Sequence, residues 1–201
     1  MSKKEIRLLS NDIEIRSIDE EEKQEVIVGY ALRFNTYSED LGGFIETIEP
    51  TALDNADMDD VVALINHDRN LVLGRTGSNT LKLEVDEFGL KYTIIPPDTT
   101  FAKDLMESMK RGDISQSSFG FTMNWEDEDA YGVRYDEDGE TPVQIIKKIR
   151  SLFDISVVTV PAYQDTQSMV SKRAIEEFEQ EREKELQNNI TKRKLLIELD
   201  L

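Results

Sequence analysis

The chain has no cysteine and a single histidine, His67. Without thiols there can be no disulfide, no thiolate nucleophile and no cysteine-ligated zinc or iron–sulfur centre. A lone imidazole also excludes multi-histidine zinc sites, so the only metal chemistry left open is a carboxylate cage for a hard cation. Basic residues are scarce as well, 24 against 42 acidic, for a formal charge of −18. Nucleic-acid backbones are gripped by clustered Lys and Arg, so nucleic acid is not an expected partner. No run approaches the ~18 consecutive apolar residues that span a bilayer, and the N-terminus lacks the apolar stretch of a secretory signal. The expectation is a soluble chain that stays where it is made, with no membrane partner and no cofactor. Any imidazole chemistry falls to His67.

The 201 residues are 38% hydrophobic, enough for one packed domain with an appendage. From residue 172 to 201 there are seven basic and eight acidic side chains, a net of −1, which leaves −17 on the first 171. Composition changes at the same place. Residues 173–186 contain no Gly or Pro and are rich in strong helix formers. Their apolar positions, Ala174, Ile175, Phe178 and Leu186, are too sparse for a long coiled-coil stripe. The division predicted is a body over 1–171 and a helical appendage over 172–201. The far end joins Lys192, Arg193 and Lys194 to Leu195, Leu196 and Ile197, a basic–apolar surface suited to a partner groove.

The body reads mainly as strands. Residues 25–34 form one with Gly29 at its middle, and 61–65 form a short apolar one ending at Asn66-His67-Asp68. Residues 80–85 and 90–95 flank a turn and read as a hairpin. Phe101, Leu105 and Met109 recur at helical spacing before Gly112, with Asp98 or a following Thr as cap. Residues 117–125 and 145–160 are again strand-like. The fold class expected is α+β, mainly β: a closed or nearly closed β-barrel with peripheral helices and a C-terminal helical tail, or else a Greek-key sandwich. Between the last two strands, residues 126–140 hold eight acidic side chains and one arginine. A calcium loop on Asp136-Glu137-Asp138-Gly139-Glu140 is one reading, but the spacing departs from the EF-hand pattern.

Three segments carry candidate chemistry. His67 follows an apolar strand, which gives a general base a rigid support and an open side. In 115–123, alternation sets Ser117, Phe119, Phe121 and Met123 on the buried face and Ser118, Gly120 and Thr122 on the other. Ser118 is therefore the expected nucleophile, exposed, with room for a substrate backbone above Gly120. Ser117 and Ser115 are the alternatives. Asp154 lies in the apolar run 152–160, where an unpaired acid is costly. Orienting His67 would justify its place, and a salt bridge to Arg150 or a lysine is the plainer alternative. Asp68 is a rival orienter, ranked lower because neighbours on an extended strand face opposite ways. Arg150 is a candidate for orienting the loop or acting through a water.

Taken together and in order, these segments resemble the tailed-bacteriophage prohead proteases. The resemblance is carried by Gly29-Tyr30-Ala31-Leu32-Arg33-Phe34, the 44–53 segment, Leu64-Ile65-Asn66-His67-Asp68 with Leu73-Gly74-Arg75-Thr76, and Asp86-Glu87-Phe88-Gly89-Leu90. It continues through Gly112-Asp113-Ile114, Ser118-Phe119-Gly120-Phe121 and the 154–163 segment, covering about residues 25 to 170. The resemblance implies a serine endopeptidase with the fold of herpesvirus maturation proteases. It would act inside the immature capsid in the host cytoplasm, cutting the scaffold segment of the major capsid protein and itself. By motif position His67, Ser118 and Asp154 take the catalytic places; the family pattern carries glutamate at the third, one methylene longer. The herpesvirus relatives also imply activation by association, through a homo-oligomer such as a dimer or through an assembly-dependent switch. The competing class is a non-catalytic assembly protein on a protease-like barrel.

Overall fold

The computed structural model describes residues 4–9, 13–19, 24–137, 139–159 and 169–199. Among these residues twelve strands and two α-helices follow in the order β1 (Lys4–Leu9), β2 (Ile13–Asp19), β3 (Gln24–Arg33), β4 (Ile45–Ile48), β5 (Val62–Ile65), β6 (Asp68–Arg75), β7 (Leu81–Val85), β8 (Gly89–Ile94), α1 (Thr100–Lys110), β9 (Gln116–Thr122), β10 (Tyr131–Tyr135), β11 (Pro142–Ile146), β12 (Ser151–Val158) and α2 (Met169–Leu199). Residues 160–163 of the 154–163 segment and Asp138 of the acidic loop lie outside the described residues.

The strands make three sheets, ordered β1-β9-β12-β5-β6, β2-β3-β8-β7 and β10-β11-β4. Most neighbours are antiparallel; β12 with β5 and β11 with β4 are parallel. Among the described residues these ladders do not close, so the expected barrel is not formed by hydrogen bonding. Closure would require the edge strands to pair. Instead β3 pairs with β2 and β8, and its Ile27 and Leu32 share one core with Phe119 and Phe121 of β9. The result is mixed α+β, mainly β, around one shared core. Ile27, Leu32, Leu90 and Ile94 come to it from one sheet, Phe119, Phe121, Ile155 and Val157 from the second, and Ile48 and Ile146 from the third.

Local chemistry explains where the elements stop. In the β7–β8 hairpin the Asp86 carboxylate accepts the N–H groups of Phe88 and Gly89, an Asx-type turn. Helix α1 starts after Thr99, although no Thr99 side-chain cap forms. Asp98 pairs with Lys103. Its buried face is Ala102, Leu105 and Met106, with Phe101 and Met109 only half-buried, so the stripe is turned from the one expected.

The expected single strand over 145–160 is two. Between β11 and β12 the N–H groups of Lys147 and Lys148 donate to Ala130, that of Ile149 to Ala52 and that of Arg150 to Thr122. Those bonds carry the chain from the three-stranded to the five-stranded sheet, and so deliver Asp154. At the other end, Ile175 of α2 is buried and the Phe178 ring lies 5.5 Å from that of Tyr135. Side chains 179–192 are exposed. Those of the basic–apolar end, from Arg193 on, lie outside the described side chains.

Candidate active site

β5 and β6 are joined by two residues, Asn66 and His67, inside the pair Ile65–Asp68. Both residues have positive φ, +50° and +58°, as a two-residue hairpin of primed type demands. Asparagine tolerates that region; histidine adopts it at some cost, a strain that must be held by its surroundings. β12 supplies the hold. Asn66 N–H donates to the Val157 carbonyl at 3.0 Å, Thr159 N–H donates to the Asn66 side chain at 3.0 Å, and His67 N–H donates to Ser156 Oγ at 3.1 Å. The turn, not an extended strand, aims the imidazole back over the sheet.

Under it, β9 and β12 pair with Ser118 opposite Ser156 and Gly120 opposite Asp154. The register slips between Leu152 and Asp154, leaving Phe153 as an extra residue. A bulge of this kind breaks the strict alternation of faces. Here it turns the Phe153 ring and the Asp154 carboxylate together onto Gly120. A Cβ built at Gly120 would sit 2.5 Å from the ring and 2.8 Å from Asp154 Oδ2.

The three expected residues therefore meet. His67 Nδ1 lies 2.6 Å from Asp154 Oδ1, and His67 Nε2 lies 2.6 Å from Ser118 Oγ. Ser156 Oγ is within 3.2 Å of the same Nδ1 and donates to Asp154 Oδ1 at 3.5 Å. With Nδ1–H donated to the carboxylate, Nε2 is left as an acceptor facing the serine hydroxyl, the arrangement a general base needs. The rival orienter Asp68 is turned away, accepting from Asn70 on the surface. Arg150 is exposed, and two main-chain bonds tie it here: its N–H donates to the Thr122 carbonyl and its carbonyl accepts from Asp57 N–H. Ser117 faces the core, bonded to the Tyr92 hydroxyl at 2.7 Å.

Two expectations about this site are corrected. The space above Gly120 does not wait for a substrate backbone; Phe153 and Asp154 fill it. Ser118 is also not exposed. Its relative exposure is 0%, because β1 pairs along β9 and the imidazole covers the hydroxyl. Ser118 Oγ donates to the Arg7 carbonyl at 2.8 Å.

β1 is itself pinned. On its other face Arg7 makes a two-pronged bond to Glu46, at 2.6 and 2.9 Å, and a 3.1 Å ion pair with Glu5, all buried. Burial alone would lower the Arg7 pKa, but the attraction and hydrogen bonds of Glu46 and then Glu5 outweigh it, and the net direction is up.

Ser156 could have been found by alternation, two residues beyond Asp154. Nothing near the N-terminus marked Arg7 or β1. Among the described residues no group of three or more His, Cys, Asp or Glu gathers as for a metal ion. No described helix is long and apolar enough to cross a membrane.

The packing at Gly120 sets a test. Gly120→Ala should force Phe153 or Asp154 aside. The expected result is a loss of stability of about 1–3 kcal/mol from overpacking and, if the site is catalytic, a fall in kcat of about 10²-fold from a misplaced carboxylate. Denaturant melts and single-turnover rates would check both; an unchanged melt would show that the strand yields freely there.

Comparison with known proteins supplies the remaining observations. The family model described as caudovirus prohead serine protease matches residues 11–181. No curated protein matches the chain. Among solved structures, the bacteriophage T4 capsid assembly protease gp21 superposes with a TM-score of 0.50 at 11% identity, covering 78% of this chain and 98% of that one. At that identity the likeness speaks for the fold alone. With the family match spanning nearly the whole body, the chain belongs to the caudovirus prohead serine proteases.

Proposed function

We propose that this chain is the serine endopeptidase of prohead maturation, with Ser118 as nucleophile, His67 as general base and Asp154 as the group that orients and stabilises the imidazole. One observation carries the reading: a single imidazole lies 2.6 Å from a serine hydroxyl on one side and 2.6 Å from a carboxylate on the other. In acyl transfer the Ser118 oxygen attacks the scissile carbonyl carbon while its proton passes to His67 Nε2. The imidazolium, balanced by Asp154, then returns that proton to the leaving amine, and water repeats the sequence to free the acyl group. Ser156 is a positioning residue, holding the His67 main chain and sharing the Asp154 oxygen.

The proposed substrate is the scaffold segment of the major capsid protein, and the chain itself, cut inside the immature capsid in the host cytoplasm. Family membership supports this, and gp21 bears the name of a capsid assembly protease. The proposal includes association of copies as part of activation. It also keeps 1–171 as the catalytic body and 172–201 as a capsid-docking appendage. The exposed stretch 179–192 of α2 fits that role, while Ile175 and Phe178 seat its first turns on the body.

Co-expression with the capsid protein, followed by mass spectrometry, tests the reading. Wild type is expected to release the scaffold segment, and a fluorophosphonate added to the assembling sample should label Ser118. His67→Ala should leave the capsid protein uncut. Shells that assemble around an uncut capsid protein in the presence of wild type would make the chain a non-catalytic assembly factor. Normal cutting by His67→Ala would end the imidazole mechanism.

A further inference from the structure

An endopeptidase must bring a peptide carbonyl to its serine, yet here the Ser118 hydroxyl has no solvent access and is already hydrogen-bonded to a peptide carbonyl, that of Arg7. The hydroxyl has one proton and two acceptors within 2.8 Å, His67 Nε2 and the Arg7 oxygen. A proton given to Arg7 is withheld from the base. Something in this arrangement has to move before catalysis.

The sheet identifies what moves. β9 has two neighbours. β12 carries Asp154 and Ser156, and β5 beyond it leads into His67, so that side is the machinery itself. β1 contributes no group to the His67–Ser118–Asp154 set. It pairs antiparallel along β9 from Lys4 opposite Thr122 to Leu9 opposite Ser117, as an added peptide strand would. It also precedes the first residue matched by the family, residue 11. What distinguishes β1 from any edge strand is its anchor: Arg7 reaches through to the buried carboxylate of Glu46 on β4. Were β1 to leave, Glu46 would lose both of its bonds to Arg7, a loss that an incoming cation makes good.

We propose that the β9 edge beside Ser118 is the binding surface for an extended peptide with a basic residue facing Glu46, and that β1 holds this place in the resting protein. The proposal rests on the serine endopeptidase reading and adds to it the docking mode, a specificity residue and a closed state. Substrate and β1 exclude one another. Activity then requires β1 to be released, and peptides carrying Arg or Lys at the register of Arg7 are favoured.

The absence of native cysteine makes the test direct. In a full chain carrying Ser118→Cys, the thiol at position 118 reports access through its rate of alkylation by iodoacetamide. A protease recognition sequence inserted between β1 and β2 allows the chain to fold intact and then be cut. Uncut protein is expected to react slowly. Cutting should raise the rate at least tenfold, and Arg7→Ala in the uncut chain should raise it in the same direction. A synthetic peptide of residues 4–9 added to cut protein should restore slow reaction, with a scrambled peptide inert and an Arg7→Ala peptide at least tenfold weaker.

A rate unmoved by both cutting and Arg7→Ala overturns the proposal, since a strand released by neither cannot give way to substrate. Equal protection by the two peptides overturns the role of Glu46. The thiol reads access without catalysis. If it opens while Ser118 in cut wild-type protein ignores a fluorophosphonate, the peptidase reading fails and the edge site stands.

Discussion

Ser118→Ala is expected to leave the capsid protein uncut, with turnover down on the order of 10⁶-fold, the scale found when a triad nucleophile is removed elsewhere. Its neighbour in sequence, Ser117, is not placed to take over, and Ser156 lies on the Nδ1 side of the imidazole, away from Nε2. Ser117 points to the opposite face and is bonded to Tyr92. The burial of Ser118 adds an effect on stability that an exposed nucleophile would not show. Its hydroxyl contacts both the Arg7 carbonyl and the imidazole. Losing the donor leaves a buried acceptor unmet, a cost of about 1–3 kcal/mol. At about 2–4 °C per kcal/mol for a chain of this size, the melting temperature should fall by about 2–12 °C. Mass spectrometry of the capsid protein and a thermal melt are the two readouts. Full processing by the variant would move the nucleophile out of position 118; an unchanged melt would contradict the bond to Arg7.

Asp154→Asn is the second large effect, expected to lower kcat about 10⁴-fold. The carboxylate does two things for His67. In the proposed mechanism it accepts the Nδ1 proton across the 2.6 Å contact, leaves Nε2 free to receive the serine proton, and balances the charge of the imidazolium that forms. An amide supplies no charge. If its NH₂ turns to Nδ1, the ring is also held in the tautomer that cannot accept from Ser118. Asp154→Glu separates charge from fit, because it keeps the charge but needs room where Phe153 and Gly120 already pack. A loss of about 10²-fold is expected for it, the cost of a misplaced group. If asparagine and glutamate lose equally, geometry alone governs the step; if asparagine loses nothing, Asp154 is not the third member.

The local elements were readable because each is written in a few adjacent residues. The β7–β8 hairpin followed from alternation around Asp86–Gly89, and α1 from its spaced apolar residues. Residues 145–160 misled for an equally physical reason. Lys147 to Arg150 are compatible with a strand, and only their bonds to Ala130, Ala52 and Thr122 show that the chain changes sheets there. The candidate site was legible as three residue types, since one histidine and no cysteine left few chemistries to choose among. Its spatial details were not. Strict alternation would set Phe153 and Asp154 on opposite faces, and only the bulge brings both against Gly120.

By itself the sequence determined which chemistry the chain could attempt: a hydroxyl nucleophile, one imidazole and a carboxylate, on an acidic, strand-rich body. These follow from side-chain inventory and short-range periodicity. Tertiary structure alone decided that Ser118 is covered and that a six-residue strand from the N-terminus lies on it. Pairing β1 with β9 joins residues more than a hundred positions apart, and the Arg7–Glu46 anchor fixes that pairing from the far side of the sheet. No local pattern encodes such a contact, because it depends on which edge remains open after the other strands have paired.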